Sequence, residues 1–196
     1  MSATPRSPSA DPAFRRLRDS DYAQLLALQE ANLRDNLPEQ DRPQGFLSAR
    51  FSREQFAEMN ASLAVVVAEM DAGVCGYLCG STIDFNRRFP LLAAMIQHYP
   101  LVEFRGRPLD RHASFVCGPV CIDRRFRGKG LLRGLYGALL AEAAGRFETG
   151  VGFIAEDNPH SLTAHVQGIG MTDAGRFDFN QRGYRILAFA VDGNRS

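Results

Sequence analysis

The sequence predicts a single α/β (α+β) domain, a β-sheet flanked by helices, on three observations. Apolar, β-rich runs come in hairpin pairs, at 63–84 and again at 177–191. Helical stretches alternate with them; in the strongest, 131–147, Leu131, Leu132, Leu135, Leu139 and Ala143 recur at helical spacing. The chain has 196 residues, 45% hydrophobic and 23% charged, enough to bury a core without a metal or disulfide.

Residues 1–12 are rich in Ser and Pro and read as a flexible tail, with the folded domain over 13–196. They hold no apolar stretch of the kind that directs secretion, and no run approaches the ~18 apolar residues of a membrane span. The expected location is the cytoplasm. Phe14–Arg18 alternates as a short strand. Asp19 or Ser20 is placed to cap a helix over Asp21–Asn32. Residues 34–50 carry prolines and charges and read as loop, and Arg53–Asn60 fits a second short helix. Leu63–Met70, a turn at Asp71-Ala72-Gly73 and a return strand Val74–Asp84 make a hairpin.

Residues 85–112 form an insertion between the third and fourth strands, with a helix over Arg88–His98 and then a Pro/Gly/Arg loop. So long a connection is functional or mobile more often than passive. Phe85, Phe89, Tyr99 and Phe104 could wall an acceptor site beside Asp84, Glu103 or Asp110, or could simply be the insertion's own small core. Ser114–Asp123 is the next strand. Gly118-Pro119 interrupts it, and proline donates no ladder hydrogen bond, so a bulge or splay is expected there. A short buried strand follows at Val151–Glu156, then a helix over Asn158–Gln167 ended by Gly168 and Gly170. A closing hairpin turns at Asn180–Gly183.

Cys75, Cys79, Cys117 and Cys121 form two C-x3-C pairs on strands. Strand periodicity places both members of a pair on one face. Their apolar flanks favour buried thiols over a zinc site, and the cytoplasmic setting disfavours a disulfide. No metal is expected.

The net charge is 23 − 22 = +1, which gives no global attraction to nucleic acid or to an acidic membrane. Anion recognition must therefore be local. One stretch suits it: Val120-Cys-Ile-Asp-Arg-Arg-Phe-Arg-Gly-Lys-Gly-Leu-Leu132, running from strand through a basic glycine loop into the strongest helix. A helix start exposes unpaired N–H groups and a partial positive charge. Gly128 and Gly130 let backbone approach a ligand, while Arg125, Arg127 and Lys129 add charge, which together suit a pyrophosphate. The nucleotide P-loop pattern fails, because Asp123 replaces its first glycine and Gly130 follows the lysine. The dinucleotide fingerprint fails because Gly134 falls one position late.

Arg125-Phe-Arg-Gly128-Lys-Gly130 matches [Q/R]-x-x-G-x-[G/A] and resembles the acetyl-CoA-binding motif of the GNAT superfamily of N-acetyltransferases. A second segment, Asn158-Pro-His-Ser161-Leu-Thr-Ala-His165…Gly168-Ile-Gly170-Met171, is similar to that family's N-x-x-[AS]-x-x-x-[YH]…G-[FM]. The resemblance spans Phe14 to Val191. It implies a central mixed, mostly antiparallel sheet splayed at its fourth strand. It further implies acetyl-CoA as co-substrate, held by Val120, Cys121, Ile122, Arg125, Phe126, Arg127, Gly128, Lys129, Gly130, Leu131, Asn158 and Ser161. The implied reaction is direct transfer of an acetyl group to a primary amine of a small molecule, peptide or protein; homodimers are common in the family.

Within that resemblance, an amide of Val120, Cys121 or Ile122 would stabilise the carbonyl oxygen. His165 stands where the family usually has a tyrosine and would give a proton to the departing thiolate. A base is needed, since an alkylamine has a pKa of roughly 10. Glu156 is the first candidate, acting through water; Tyr184 is a weaker alternative proton donor. A non-catalytic CoA-binding module on the same fold is the competing reading, and nucleic-acid binding is not expected.

Overall fold

The computed structural model describes residues 11–71 and 73–192; most of the expected tail at 1–12, and Ala72 of the first turn, lie outside them. Nine strands are described: β1 (Ala13–Arg16), β2 (Ala64–Met70), β3 (Gly73–Thr82), β4 (Glu103–Phe104), β5 (Arg107–Pro108), β6 (Ser114–Ile122), β7 (Thr149–Ala155), β8 (Thr172–Phe179) and β9 (Arg182–Ala190). The helices are α1 (Tyr22–Asn32), α2 (Arg53–Ser62), α3 (Ile83–Asn86), α4 (Pro90–Gln97), α5 (Leu131–Ala143) and α6 (Pro159–Thr163). Seven strands form one sheet in the order β1-β2-β3-β6-β7-β9-β8, antiparallel throughout except for the β6–β7 pair.

Alternation along β2 assigns each residue a face. Val66 and Ala68 pack with Leu131, Leu135 and Leu139 of α5. Val65 and Val67 pack with Leu25 of α1 and Phe56 and Met59 of α2. The sheet is thus covered by α5 on one face and by α1 and α2 on the other. A third cluster joins Leu92, Met95 and Ile96 of α4 to Val151, Phe177 and Ile186.

The cysteine expectation is corrected in one respect. All four thiols are free and buried, but each pair is divided between the two faces: Cys75 and Cys117 lie with α5, Cys79 and Cys121 with α1 and α2. Two bulges cause this. Glu69 pairs with Val74 and Ala68 with Gly76, so Cys75 is the extra residue. Leu78 pairs with Val120 and Gly80 with Cys117, so Gly118 and Pro119 together face Cys79. One inserted residue reverses the phase of every side chain beyond it.

Other departures are local. A 3-10 turn, Asp19–Asp21, precedes α1, and neither Asp19 nor Ser20 caps it; Asp21 instead accepts from the Arg18 amide (2.7 Å) and pairs with Arg15 (2.6 Å). β3 stops at Thr82, whose hydroxyl accepts from the Phe85 amide and starts α3. The loop after α4 contains the β4–β5 ribbon, turned by Arg105 and Gly106, both at positive φ. β8 begins at Thr172, five residues before the expected start, because a bulge at Ala174 breaks its alternation. Among the described residues no helix is long and apolar enough to cross a membrane.

Candidate active site

The site begins where the sheet forks. β6 pairs with β7 only over Ser114–Val116 against Thr149–Val151. A Cβ on Gly152 would stand 2.7 Å from the Cys117 carbonyl oxygen, so the two backbones still touch there. Beyond it β6 bulges at Gly118, whose φ is +127°, a value favouring glycine, and the strands part.

Parting leaves one edge of β6 without a ladder partner. The Asp123 amide donates to the Cys75 carbonyl of β3 (2.9 Å). Amide direction alternates along a strand, so the Cys121 amide also faces β3, while those of Val120 and Ile122 face the opening. Of the three expected donors the fork therefore offers two, and the Cys121 amide is turned away.

At one end of the opening lies a cavity of about 470 Å³ bounded by Ile122, Phe126, Gly128, Gly130 and Leu131 on one side and Ser161 and His165 on the other. Gly128 (φ +73°) and Gly130 (φ +80°) hold left-handed backbone, and a Cβ on either would meet nothing within 4 Å. The loop leading into α5 thus borders free space, and the start of a helix is where unpaired amides favour an anion. Val120, Cys121 and Arg127 also line this cavity; Arg125 and Lys129 do not.

The arginines of the loop have partners within the chain: carboxylates for Arg124 and Arg125, neutral acceptors for Arg127, whose charge beside the cavity stays unpaired among the described residues. Arg125 doubles back onto Asp123 (2.6 Å) and holds that carboxyl below the usual carboxylate range. Arg124 pairs with Asp41 (2.8 Å). Arg127 donates to the carbonyls of Ile122 (3.1 Å) and Gln44 (2.7 Å) and to Asn32 (2.9 Å). Lys129 lies over the Phe126 ring, 5.3 Å from its centroid. Arg124 and Arg127 act as staples that fasten the 39–47 loop above the cavity.

At the other end is a cavity of about 500 Å³, bordered by Cys117, Gly118 and Pro119 of β6, Tyr136 of α5 and Phe153 of β7. Phe46, Leu47, Val120, Ser161 and His165 border both cavities, so the two adjoin at the fork as the ends of a cleft. Phe46 is the roof between them. Its ring lies 5.6 Å from both the Arg34 and the Arg182 guanidinium, and its carbonyl accepts from Asn158 (3.4 Å). Asn158 also caps α6 through the Ser161 amide (3.3 Å). Sequence reading missed Phe46 and Tyr136. The one hint at Phe46 was an apolar Phe-Leu pair after a glycine in a charged loop.

His165 is 6% exposed, at the middle of the cleft. Its Nδ1 lies 2.7 Å from the Ser161 carbonyl, which can only accept, so Nδ1 carries the proton and Nε2 keeps the lone pair. Burial pushes its pKa below the ordinary value, against a smaller upward effect of that hydrogen bond. Near neutral pH the group is an imidazole that can take a proton at Nε2. To serve as the expected proton donor it must therefore first gain a proton at Nε2.

Glu156 does not reach the cleft. It pairs with Arg176 of β8 (3.0 Å), at the outer hairpin, because its amide donates to the Gly183 carbonyl and continues the β7–β9 edge. Tyr184 is buried in a stack on Phe177 (centroids 5.1 Å) and lines neither cavity. Burial pushes the Cys117 and Cys121 thiols up to about 12, which removes them as nucleophiles near neutral pH. Among the described residues no three His, Cys, Asp or Glu side chains group to hold a metal ion.

No family model matches the sequence, and no curated protein matches it. Solved structures do. An N-acetyltransferase from Staphylococcus aureus Mu50 is 17% identical, covering 93% of this chain and 100% of its own, with a TM-score of 0.60. The yncA protein of Salmonella typhimurium, solved with its cofactor acetyl-CoA, is 17% identical over 95% of this chain and 98% of its own, with a TM-score of 0.60. A ribosomal-protein-alanine N-acetyltransferase from Brucella melitensis is 20% identical over 91% and 99%, with a TM-score of 0.58. The forked seven-stranded sheet, with the glycine loop leading into α5, has the fold of the GNAT N-acetyltransferases.

Proposed function

We infer that the protein transfers an acetyl group from acetyl-CoA to a primary amine of a small molecule, peptide or protein. One observation carries the reading: a cavity beside the glycine loop at Gly128 and Gly130 adjoins, at the forked strands, a second cavity, and His165 borders both. The residues present fit the co-substrate. Backbone amides at the start of α5 would hold its diphosphate. The free edge of β6 would hydrogen-bond its extended arm, with Ser161 across the cleft.

Acetyl-CoA supplies the thioester; a C–N bond to the amine forms as the C–S bond breaks. The Val120 and Ile122 amides both face the opening but stand one strand repeat apart, so a single one of them would donate to the carbonyl oxygen as it gains charge and the other would be left for the extended arm. His165 Nε2 would accept the proton lost by the amine and pass it to the thiolate sulfur. One residue then serves both steps, and the proton count closes without a carboxylate.

The test is calorimetry with acetyl-CoA followed by thiol release across a broad amine panel. Binding with thiol release is expected. Binding with no amine acetylated would leave a CoA-binding module, and no binding would remove the reading altogether.

A further inference from the structure

The second cavity differs in chemistry from the loop end. Its walls are rings and branched chains, Phe46, Phe51, Phe89, Leu91, Phe153 and Phe179 among them. Leu91 and Phe89 come from the insertion. Tyr99 and Phe104 instead pack in the cluster that joins the insertion to β7, β8 and β9, and Phe85 packs against the α1–α2 side, so only part of the expected aromatic wall forms. Among the described residues bordering this cavity none is Asp or Glu. The one formally charged side chain there is Arg50, paired with Glu30 (2.8 Å). The acids expected beside an amine lie elsewhere: Asp84, Glu103, Asp110 and Glu156 border neither cavity.

Two consequences follow from elementary electrostatics. A second ammonium on the acceptor would lose its hydration with no counter-charge in return, and an unpaired charge is the most unfavourable group to bury. The reacting amine must itself be neutral, and an apolar setting lowers an amine's pKa, so the cavity favours the reactive form. Apolar surface on the acceptor gains roughly 25 cal/mol for each Å² buried, and ring walls add stacking.

We propose that the acceptor is a small primary amine on an apolar, ring-bearing body with no second positive charge, seated between the insertion and β7. This rests on the acetyltransferase reading and narrows its substrate class. Phenethylamine and spermidine discriminate it, since both offer a primary alkylamine and differ in ring and in extra charge.

Thiol release is measured for each with the full chain and acetyl-CoA. At least a tenfold higher kcat/KM for phenethylamine is expected. Leu91→Asp places a carboxylate on the cavity wall from a half-buried helix position. It should narrow that ratio at least fivefold while the acetyl-CoA affinity, read by calorimetry, stays within twofold. Spermidine equal or better, or acetylation in the broad panel that bypasses phenethylamine, overturns the assignment and leaves acetyl transfer standing. A panel with no acetylated amine removes both readings.

Discussion

The two ends of the cleft are made of different material. The loop end is backbone: amides at the start of α5, opened by Gly128 and Gly130, with most nearby arginine side chains turned to internal partners. The acceptor end is side chain: rings and aliphatic groups brought together from the 46–51 loop, α4, α5, β6, β7, β9 and the β8–β9 turn among others. On the proposed reading the first would bind by geometry that many sequences could supply, and the second would select by shape and by a shortage of negative charge. His165 stands at the junction and belongs to both.

The largest effect is expected at that junction. His165→Gln should lower kcat roughly 100-fold, the lower range for a lost proton-transfer group, while acetyl-CoA affinity changes little. Steady-state kinetics beside calorimetry separates the two. The pH dependence carries a second signature. Folded His165 resists protonation because it is buried, whereas the unfolded imidazole takes a proton near about 6.5. The unfolded state therefore binds more protons below that pH. The group's contribution to stability is complete above about pH 6.5 and declines as pH falls through the lowered folded value. Denaturant titrations from pH 8 to 5 should show a flatter profile for the variant. An unchanged kcat would move the chemistry away from the junction.

Next in size is the fork itself. The Gly152→Ala methyl would stand 2.7 Å from the Cys117 carbonyl oxygen, a backbone atom that cannot swing aside. Forcing β7 from β6 should destabilise the fold by about 2 kcal/mol and lower Tm by several degrees in a thermal scan. A full-stability variant would mean that the fork yields easily and that its contact does not position the cleft.

What could be read from the sequence follows the same division. The loop end was legible because Asp123–Leu132 is contiguous, and a helix start is signalled by local residues. The fork was legible from Gly118-Pro119. The acceptor end was not, because its walls meet only through tertiary packing of segments far apart in sequence. The pairing of the loop arginines was hidden for a related reason. Arg125 and Arg127 look free in a string of letters, yet Asp123 lies two residues from the first and Gln44 eighty-three from the second. The cysteine faces failed because a single bulge residue, invisible to a period-two count, inverts everything after it.

At the loop end, Gly128→Glu puts a bulky anion on the cradle and asks a left-handed position to accept a Cβ. Acetyl-CoA should bind at least tenfold more weakly, a loss of about 1.4 kcal/mol, and calorimetry reads it directly. The acceptor end should be untouched, so the phenethylamine-to-spermidine ratio at saturating acetyl-CoA should hold. Binding equal to the parent would place the diphosphate somewhere other than these amides.

The smallest expected effect is the most pointed check on the division. Sequence order puts Glu156 at the mouth of the fork, two residues before Asn158, where a base would be convenient. The folded chain instead ties it to Arg176 on the exposed β8–β9 hairpin, beside Asp178, which competes for the same guanidinium. Exposed pairs of this kind contribute little, because both ions remain solvated. Glu156→Gln should therefore leave kcat and its pH profile within twofold of the parent, with Tm almost unmoved. A large fall in kcat that deepens at low pH would restore a carboxylate to the chemistry and would require the hairpin to swing inward when substrate binds.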